Sequence, residues 1–210
     1  MSNKPIFDEI AEQKMRGVLL VLTGPTGAGK DTVFGELMKR NPSLVKVTTT
    51  TSREMRDVES EGNPYHFIPR GDFEQKIADG AFFEWVEFRG QLYGTQKATL
   101  QKALETGKDV IWHIDAKGVK NIKGKVKELC ERSAFVFLTA PDIDILKERV
   151  QQDEKHLVHH RWNEPLVVWE MEQYDDCDYL VINENNNLAK TVNKVESIME
   201  AKRQELFHAE

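Results

Sequence analysis

A glycine-rich segment near the start of the chain constrains its fold and chemistry more than any other feature. Residues 24–32 read GPTGAGKDT and fit the pattern G-x-x-x-x-G-K at Gly24, Gly29 and Lys30. The segment follows the apolar run at residues 17–22 and precedes a stretch of helical periodicity, so it connects a buried strand to a helix. Glycine permits the positive φ angles that turn backbone N–H groups toward one anion, and the helix N-terminus adds its positive dipole end. This context predicts a loop that holds the phosphates of a nucleoside triphosphate.

The residues of this loop are the predicted nucleotide ligands, namely Gly24, Thr26, Gly27, Ala28, Gly29, Lys30, Asp31 and Thr32. Lys30 supplies a point charge between the terminal phosphates. The next residue is normally Ser or Thr, whose hydroxyl binds Mg²⁺, but here it is Asp31. Three interpretations are open: Thr32 supplies the hydroxyl, Asp31 binds Mg²⁺ directly or through water, or the site is weakened. We expect a working site, because adenylate kinases, with Gly-Lys-Gly-Thr, resemble this arrangement.

Strand-like and helical segments alternate along most of the chain. Buried strands are expected at residues 17–22, 109–115, 133–139 and 178–183, and a helix at residues 142–151 with Asp142 at its start. This alternation predicts an α/β fold with a parallel sheet covered on both faces. Residues 50–95 interrupt it with short β-like pieces and one helical stretch, and are interpreted as a small mixed insertion. The polar residues 153–163 are interpreted as a mobile lid.

Length and composition limit the class of protein. The 210 residues suit one domain at residues 17–210 behind a polar N-terminal extension at residues 1–16, and 40% hydrophobic with 30% charged residues is ordinary for a globular chain. A net charge of −6 argues against coating nucleic acid. No run approaches the roughly 18 apolar residues that span a bilayer. Cys130 and Cys177, without a CxxC motif or a secretory signal, are expected to be reduced packing residues in a cytoplasmic monomer or homodimer.

A second group of residues is suited to binding a phosphorylated acceptor. Arg53 and Arg56 lie three positions apart and precede Tyr65. The planar guanidinium group matches phosphate oxygens, and a tyrosine hydroxyl adds a further donor. Composition alone leaves a solvated charged loop as an equal alternative.

The segment resembles the guanylate kinase signature T-[ST]-R-x-x-R-x-x-E-x-x-G-x-x-Y-x-F, which it matches at Thr51, Ser52, Arg53, Arg56, Glu59, Gly62, Tyr65 and Phe67. The resemblance continues through FEW at residues 83–85 and LYGT at residues 92–95. It resumes at Ile114 and Asp115 with Gly118 behind them, and again at YLVIN, residues 179–183. It covers roughly residues 17–205. It implies a P-loop nucleoside monophosphate kinase fold: a parallel five-stranded sheet with helices on both faces, core residues 17–49 and 96–210, a mixed α/β GMP-binding insertion at residues 50–95, and a lid at about residues 153–163.

The resemblance also implies the substrates and their ligands. ATP with Mg²⁺ is the expected phosphate donor, and the residues expected to bind GMP are Thr49, Arg53, Arg56, Tyr65, Glu84, Tyr93, Thr95 and Asp115. In the family, the residue matching Glu84 accepts from guanine N1 and N2, and the residue matching Thr95 bonds O6. The arginines and tyrosines hold the phosphate. Periodicity alone also allows Glu84 to be a surface residue and Tyr65 to be a packing residue.

The resemblance assigns catalytic roles as well. The expected catalytic residues are Lys30, Arg53, Arg149 and Arg161, and the candidate Mg²⁺ ligands are Asp31, Thr32 and Asp115.

The chain departs from the family pattern at two places. Family members usually carry Asp-Ile-Asp where this chain has His113, Ile114 and Asp115, and we interpret His113 as a supporting residue rather than a catalytic one. The first lid arginine falls at Asp153, whereas Arg161 lies one or two positions from the second. We interpret the three lid histidines as solvated rather than metal-binding. These departures affect turnover more than binding.

Two other functions compete with a guanylate kinase. A GMP-binding module with poor transfer is favoured by Asp31, His113 and the altered lid, but such modules tend to lose the phosphate loop. A kinase for another phosphorylated acceptor is favoured by the Gly-Lys-Asp-Thr sequence, which resembles that of ribose bisphosphokinases. Those kinases do not share the full guanine-binding set.

Overall fold

A computed structural model describes residues 16–123, 127–152 and 162–208 of the chain. Its main sheet has five parallel strands in the order β2-β7-β1-β8-β9. The strands are β1 (Leu19–Thr23), β2 (Val45–Val47), β7 (Val110–His113), β8 (Ser133–Thr139) and β9 (Tyr179–Ile182). The parallel sheet predicted from the alternation is thus confirmed.

Helices cover both faces of this sheet because its central strands are mostly apolar and must be buried on both sides. All five residues of β1 and all seven of β8 are buried, and successive side chains point to opposite faces. One face packs against α3 (Lys97–Leu104), α4 (Ala116–Lys123) and α5 (Lys127–Glu131). The other packs against α1 (Lys30–Arg40) and α8 (Leu188–His208).

A second sheet lies within residues 50–96. Its four strands run in the order β4-β3-β6-β5, with β3 at Thr50–Thr51, β4 at His66–Phe67, β5 at Phe82–Phe88 and β6 at Gln91–Gln96. Helix α2 (Arg70–Ala78) covers it, with Phe73 stacked on Phe82 at a centroid distance of 4.2 Å. The small mixed insertion therefore has its own sheet and its own apolar cluster.

The remaining helices follow β8. Helix α6 spans Ile143–Gln152 and begins where the sequence predicted, because Asp142 Oδ1 accepts from the backbone N–H of Ile145. Helix α7 spans Glu164–Glu172, with a 3₁₀ turn at Gln173–Asp176 behind it, and Asn163 caps its first turn.

Part of the sequence interpretation falls outside the described residues. The N-terminal extension up to residue 15, and residues 153–161 of the lid with Asp153, the histidines and Arg161, lie there. In the ranges that the structure describes, no helix combines the length and apolarity needed to cross a bilayer. Cys130 and Cys177 are free thiols, each half-buried against the core.

Candidate active site

The phosphate loop connects β1 to α1, as predicted. Its three glycines have φ angles of 143°, 87° and 83° at Gly24, Gly27 and Gly29. A side chain at Gly24 would place Cβ 1.9 Å from the carbonyl oxygen of Leu138, so the loop can pass β8 only with glycine there. The side chain of Lys30 lies along the loop, and its Nζ donates to the carbonyl oxygens of Gly24 and Pro25 at 2.8 Å each. Helix α1 begins at Lys30, which aims its N-terminus at the loop interior.

Three residues from distant parts of the chain hold the loop in place. Asn183, directly after β9, donates from Nδ2 to the carbonyl oxygen of Ala28 at 2.9 Å. Glu170 on α7 is buried and accepts from the backbone N–H of Thr26 at 3.0 Å. Arg149 on α6 donates to the carbonyl oxygens of Asn183 at 2.6 Å and Gly27 at 3.4 Å. Sequence analysis assigned no role to Asn183 or Glu170. The sequence offers one signal, for Asn183. It is a polar residue directly after a buried strand, and ligands of parallel sheets bind at the edge where the strands end.

Asp31 and Thr32 are both exposed in the first turn of α1, where the helix dipole favours a negative charge. Asp31 Oδ1 lies 3.7 Å from Nδ1 of His113 at the end of β7. Burial lowers the pKa of His113 to about 4, against the opposing charge of Asp31, and the charges of Lys30 and Lys46 lower it further. His113 is therefore a neutral imidazole at pH 7. The structure thus brings together Asp31, which departs from the usual phosphate-loop pattern, and His113, which departs from the family pattern.

Lys46 on β2 is a charged neighbour that sequence reasoning missed. It is half-buried, and its Nζ donates to the carbonyl oxygen of Pro64 at 2.9 Å and lies 5.7 Å from the ring centroid of Phe34. Burial lowers the pKa of Lys46, whereas the charge of Asp31 opposes the shift. The ammonium group thus connects α1 with the segment that leads to Tyr65.

The predicted phosphate-binding arginine is preorganised by a carboxylate. Arg53 donates from both terminal nitrogens to Glu59, at 2.9 and 2.8 Å, and its guanidinium carbon lies 5.7 Å from the ring centroid of Tyr65. Glu59 also accepts from the backbone N–H of Arg56. Burial acts to raise the pKa of Glu59, but these donors outweigh it and the pKa lies below its usual value. The matched motif residue Glu59, to which sequence analysis gave no role, therefore fixes the geometry of Arg53.

Two tyrosines flank this arginine. The rings of Tyr65 and Tyr93 meet edge to face with centroids 5.9 Å apart. Burial raises the pKa of Tyr65, and the charge of Asp31 and the neighbouring Tyr93 raise it further. The Tyr65 hydroxyl is therefore neutral at physiological pH and can act as a donor. The influence of Asp31 on Tyr65 also indicates that the phosphate loop and the arginine cluster face a common space.

The candidate base site is a buried carboxylate on the second sheet. Glu84 and Thr95 lie directly opposite each other across β5 and β6, and Thr95 Oγ1 donates to Glu84 Oε1 at 2.7 Å. Glu84 is only 5% exposed, so it is not a surface residue. A side chain at Gly118 would place Cβ 3.2 Å from Glu84 Oε2, so this glycine leaves room beside the carboxylate. Thr49 is buried next to this sheet, with its carbonyl oxygen accepting from His66 N–H.

Asp115 differs from the expectation that it ends a strand. Strand β7 ends at His113, and Asp115 Oδ1 accepts from the backbone N–H of Gly118 at 2.7 Å, which caps α4. Burial raises the pKa of Asp115, opposed by the Gly118 N–H and by Lys117, while Glu170 raises it further. The Asp115 carboxylate thus accepts backbone hydrogen bonds from the first turn of α4.

Comparison with known proteins shows which family the chain resembles. The sequence model of the guanylate kinase family matches residues 16–202. The chain is 38% identical to the guanylate kinase of Carboxydothermus hydrogenoformans, with 90% of each chain covered. It is 34% identical to that of Maricaulis maris, with 95% of this chain and 88% of the relative covered.

The fold is shared with a solved structure as well. The structure of the guanylate kinase from Anaplasma phagocytophilum superposes with a TM-score of 0.71 at 24% identity, over 90% of this chain and 88% of that one. On the strength of the family match and the identity to these relatives, the chain belongs to the guanylate kinase family.

Proposed function

We infer that this protein transfers the γ-phosphoryl group of ATP to GMP, giving ADP and GDP. Family membership supports a nucleotide kinase, and the curated relatives are named guanylate kinase. The observation that carries the choice of acceptor is the buried Glu84–Thr95 pair. A carboxylate in such a place needs donors from its ligand, and guanine presents two of them side by side, at N1 and N2.

This pairing explains selection against adenine. Adenine has an acceptor at N1 and no amino group at C2, so it leaves the Glu84 carboxylate without ligand donors. A base that offers no donors to this buried carboxylate is typically disfavoured by a few kcal/mol. In our proposal Thr95 bonds O6, and Thr49 and Asp115 lie at the edge of the base.

The GMP phosphate is assigned to Arg53, Arg56, Tyr65 and Tyr93. Arg53 is already oriented by Glu59, which reduces the entropy lost when the phosphate binds. The hydroxyls of the two tyrosines donate to the remaining phosphate oxygens. The attacking phosphate oxygen is already ionised, so the reaction needs no strong general base.

The donor site is assigned to the phosphate loop, from Gly24 to Thr32, with Lys30 between the terminal phosphates. Arg149 supports it, since its guanidinium group already touches the carbonyl oxygen of Gly27. In the transfer, a new P–O bond to GMP forms in line as the bond to ADP breaks. The chain contributes position and positive charge, from Lys30, Arg53, Arg149 and, in the lid, Arg161.

Mg²⁺ is the proposed metal. In the described ranges no three His, Cys, Asp or Glu residues lie close enough together to enclose an ion. Mg²⁺ is nevertheless commonly held by one or two carboxylates together with substrate phosphates and water. That requirement fits the exposed carboxylate of Asp31, the hydroxyl of Thr32 and the carboxylate of Asp115, which would hold the ion. The ion would neutralise charge on the phosphates.

Several further assignments belong to the proposal. The division into a core at residues 17–49 and 96–210, a GMP-binding insertion at 50–95 and a lid at 153–163 supports closure around both substrates, which excludes water. The protein is proposed to act in the cytoplasm as a monomer or homodimer on small molecules, without nucleic acid or membrane partners.

A coupled assay of ADP formation tests the proposal, with GMP, AMP and ribose bisphosphate offered separately as acceptors. We expect ADP formation that depends on GMP and is lost in Lys30→Met. If ADP forms with ribose bisphosphate but not with GMP, ribose bisphosphate is the acceptor and the proposal is wrong. Tight GMP binding without any turnover at high enzyme concentration would instead assign the chain as a nucleotide-binding module, the alternative that the Asp31–His113 departures favour.

A further inference from the structure

Two consecutive hydrogen bonds join the two sheets behind the proposed base site. Trp112 Nε1 donates to Thr95 Oγ1 at 2.9 Å, and Thr95 Oγ1 donates to Glu84 Oε1 at 2.7 Å. Trp112 and Thr95 are completely buried. An indole nitrogen can only donate and a carboxylate can only accept, so chemistry fixes the direction of both bonds.

Trp112 is held rigidly from the main sheet. It lies on β7, where it pairs with Val21 on one side and with Val47 on the other. Its ring also packs against Phe83, with centroids 5.9 Å apart. Glu84 and Thr95 belong to the second sheet. The indole N–H of Trp112 therefore reaches them from the main sheet and orients the Thr95 hydroxyl.

The hydroxyl of Thr95 has one proton and two acceptor positions. Trp112 occupies one acceptor position, and this donation polarises the hydroxyl and makes it a better donor. Without a ligand the proton goes to Glu84. When guanine N1–H and N2–H donate to Glu84, the carboxylate needs the Thr95 proton less, and that proton can turn to O6. A 6-amino group would meet a hydroxyl with half its accepting capacity already used.

We propose that Trp112 is a positioning residue for base selection, which acts through Thr95 on the 6-position of the nucleotide base. The proposal rests on GMP being the acceptor. It concerns binding rather than transfer, so equilibrium titration without ATP separates it from the proposed kinase activity.

Two variants remove the indole N–H group of Trp112. Trp112→Phe deletes it with part of the ring, whereas 3-benzothienylalanine at position 112 replaces N–H by sulfur in a ring of nearly the same size. Each is titrated calorimetrically with GMP, with inosine monophosphate, which keeps O6 but lacks the 2-amino group, and with 2-aminopurine ribonucleoside monophosphate, which lacks O6. We expect affinity for the two 6-oxo nucleotides to fall about tenfold and affinity for the 2-aminopurine nucleotide to stay within twofold.

The matched control is Trp85→Phe, the same change at a partly exposed tryptophan next to Glu84 on β5. It should leave all three affinities unchanged. In a Thr95→Val background, loss of the indole N–H should have no further effect, because the two residues act in series.

Two results would overturn the inference. Unchanged GMP affinity in the benzothienyl chain would show that the N–H has no role. An equal loss for all three nucleotides would assign Trp112 to packing alone. A wild-type chain that binds GMP with these preferences but forms no ADP would contradict the proposed activity and still support the role of Trp112.

Discussion

The carboxylate of Asp31 lies 3.7 Å from Nδ1 of His113, so the residue after the phosphate-loop lysine faces the residue at the end of β7. A phosphate-loop lysine is normally followed by a hydroxyl residue, and the resemblance to the family implies a carboxylate at the position of His113. In this chain the carboxylate belongs to the loop helix, and the strand supplies a neutral imidazole. The negative charge of this pair therefore lies on the helix rather than on the strand.

Replacing Asp31 should weaken the binding of Mg²⁺ together with ATP. We expect Asp31→Asn to raise the Mg²⁺ concentration for half-maximal activity about tenfold, since one charged oxygen ligand is lost. The measurement is ADP formation against free Mg²⁺ at saturating ATP and GMP. Asp144→Asn, in the first turn of α6, is the matched control. An Asp31→Asn chain that is more active at low Mg²⁺ would show that Asp31 impairs the site.

His113 should make folding stability depend on pH. Its folded pKa of about 4 lies below the ordinary value of 6.5, so the unfolded chain binds more protons between these values. Stability is therefore lost as pH falls through this window. Between pH 7 and pH 5 the contribution is roughly 1 to 2 kcal/mol. Urea unfolding of wild type and His113→Gln at both pH values measures it, and equal pH dependence of the two chains would refute the assignment.

Glu59 should control GMP affinity through Arg53. Glu59→Gln removes the charge that orients the guanidinium group, and we expect the KM for GMP to rise about tenfold with a smaller change in the KM for ATP. Glu61→Gln is the control, since Glu61 is 62% exposed and bonds only His66 and Phe67 among the described residues. If both variants raise the KM for GMP equally, general charge in the loop is responsible rather than Arg53 geometry.

Replacing Gly118 by alanine should weaken the affinity for GMP without lowering the thermal stability of the protein. Gly118→Ala favours helix α4 by up to about 1 kcal/mol, but its new Cβ would lie 3.2 Å from Glu84 Oε2. We expect equal or higher thermal stability together with a severalfold weaker GMP affinity. Gly35→Ala in α1, where nothing lies within 4 Å of the new Cβ, should gain the stability alone. Unchanged GMP affinity in Gly118→Ala would mean that Glu84 has room to move.

Sequence patterns alone predicted four of the five strands of the main sheet, namely β1, β7, β8 and β9, and the position of the phosphate loop, but they did not predict β2. Local rules suffice for these features, because a buried parallel strand needs an apolar run and an anion loop needs glycine before a helix. Asp142 was identified as a helix start for the same reason, since its cap reaches only three residues ahead. The residues expected to bind GMP were identified from the spacing of the guanylate kinase signature. The periodicity of strands and helices alone left other interpretations open for Glu84 and Tyr65.

The contacts from distant residues to the phosphate loop and the second sheet depend on tertiary packing. Asn183 and Glu170 reach the phosphate loop from more than 140 positions away along the chain. Trp112 reads as an ordinary apolar residue of a buried strand, yet its N–H orients Thr95. Lys46 and the contact between Asp31 and His113 depend on how α1 packs beside β2 and β7. No sequence period encodes these relations, because they arise where separate elements meet and their polar atoms must find partners on burial.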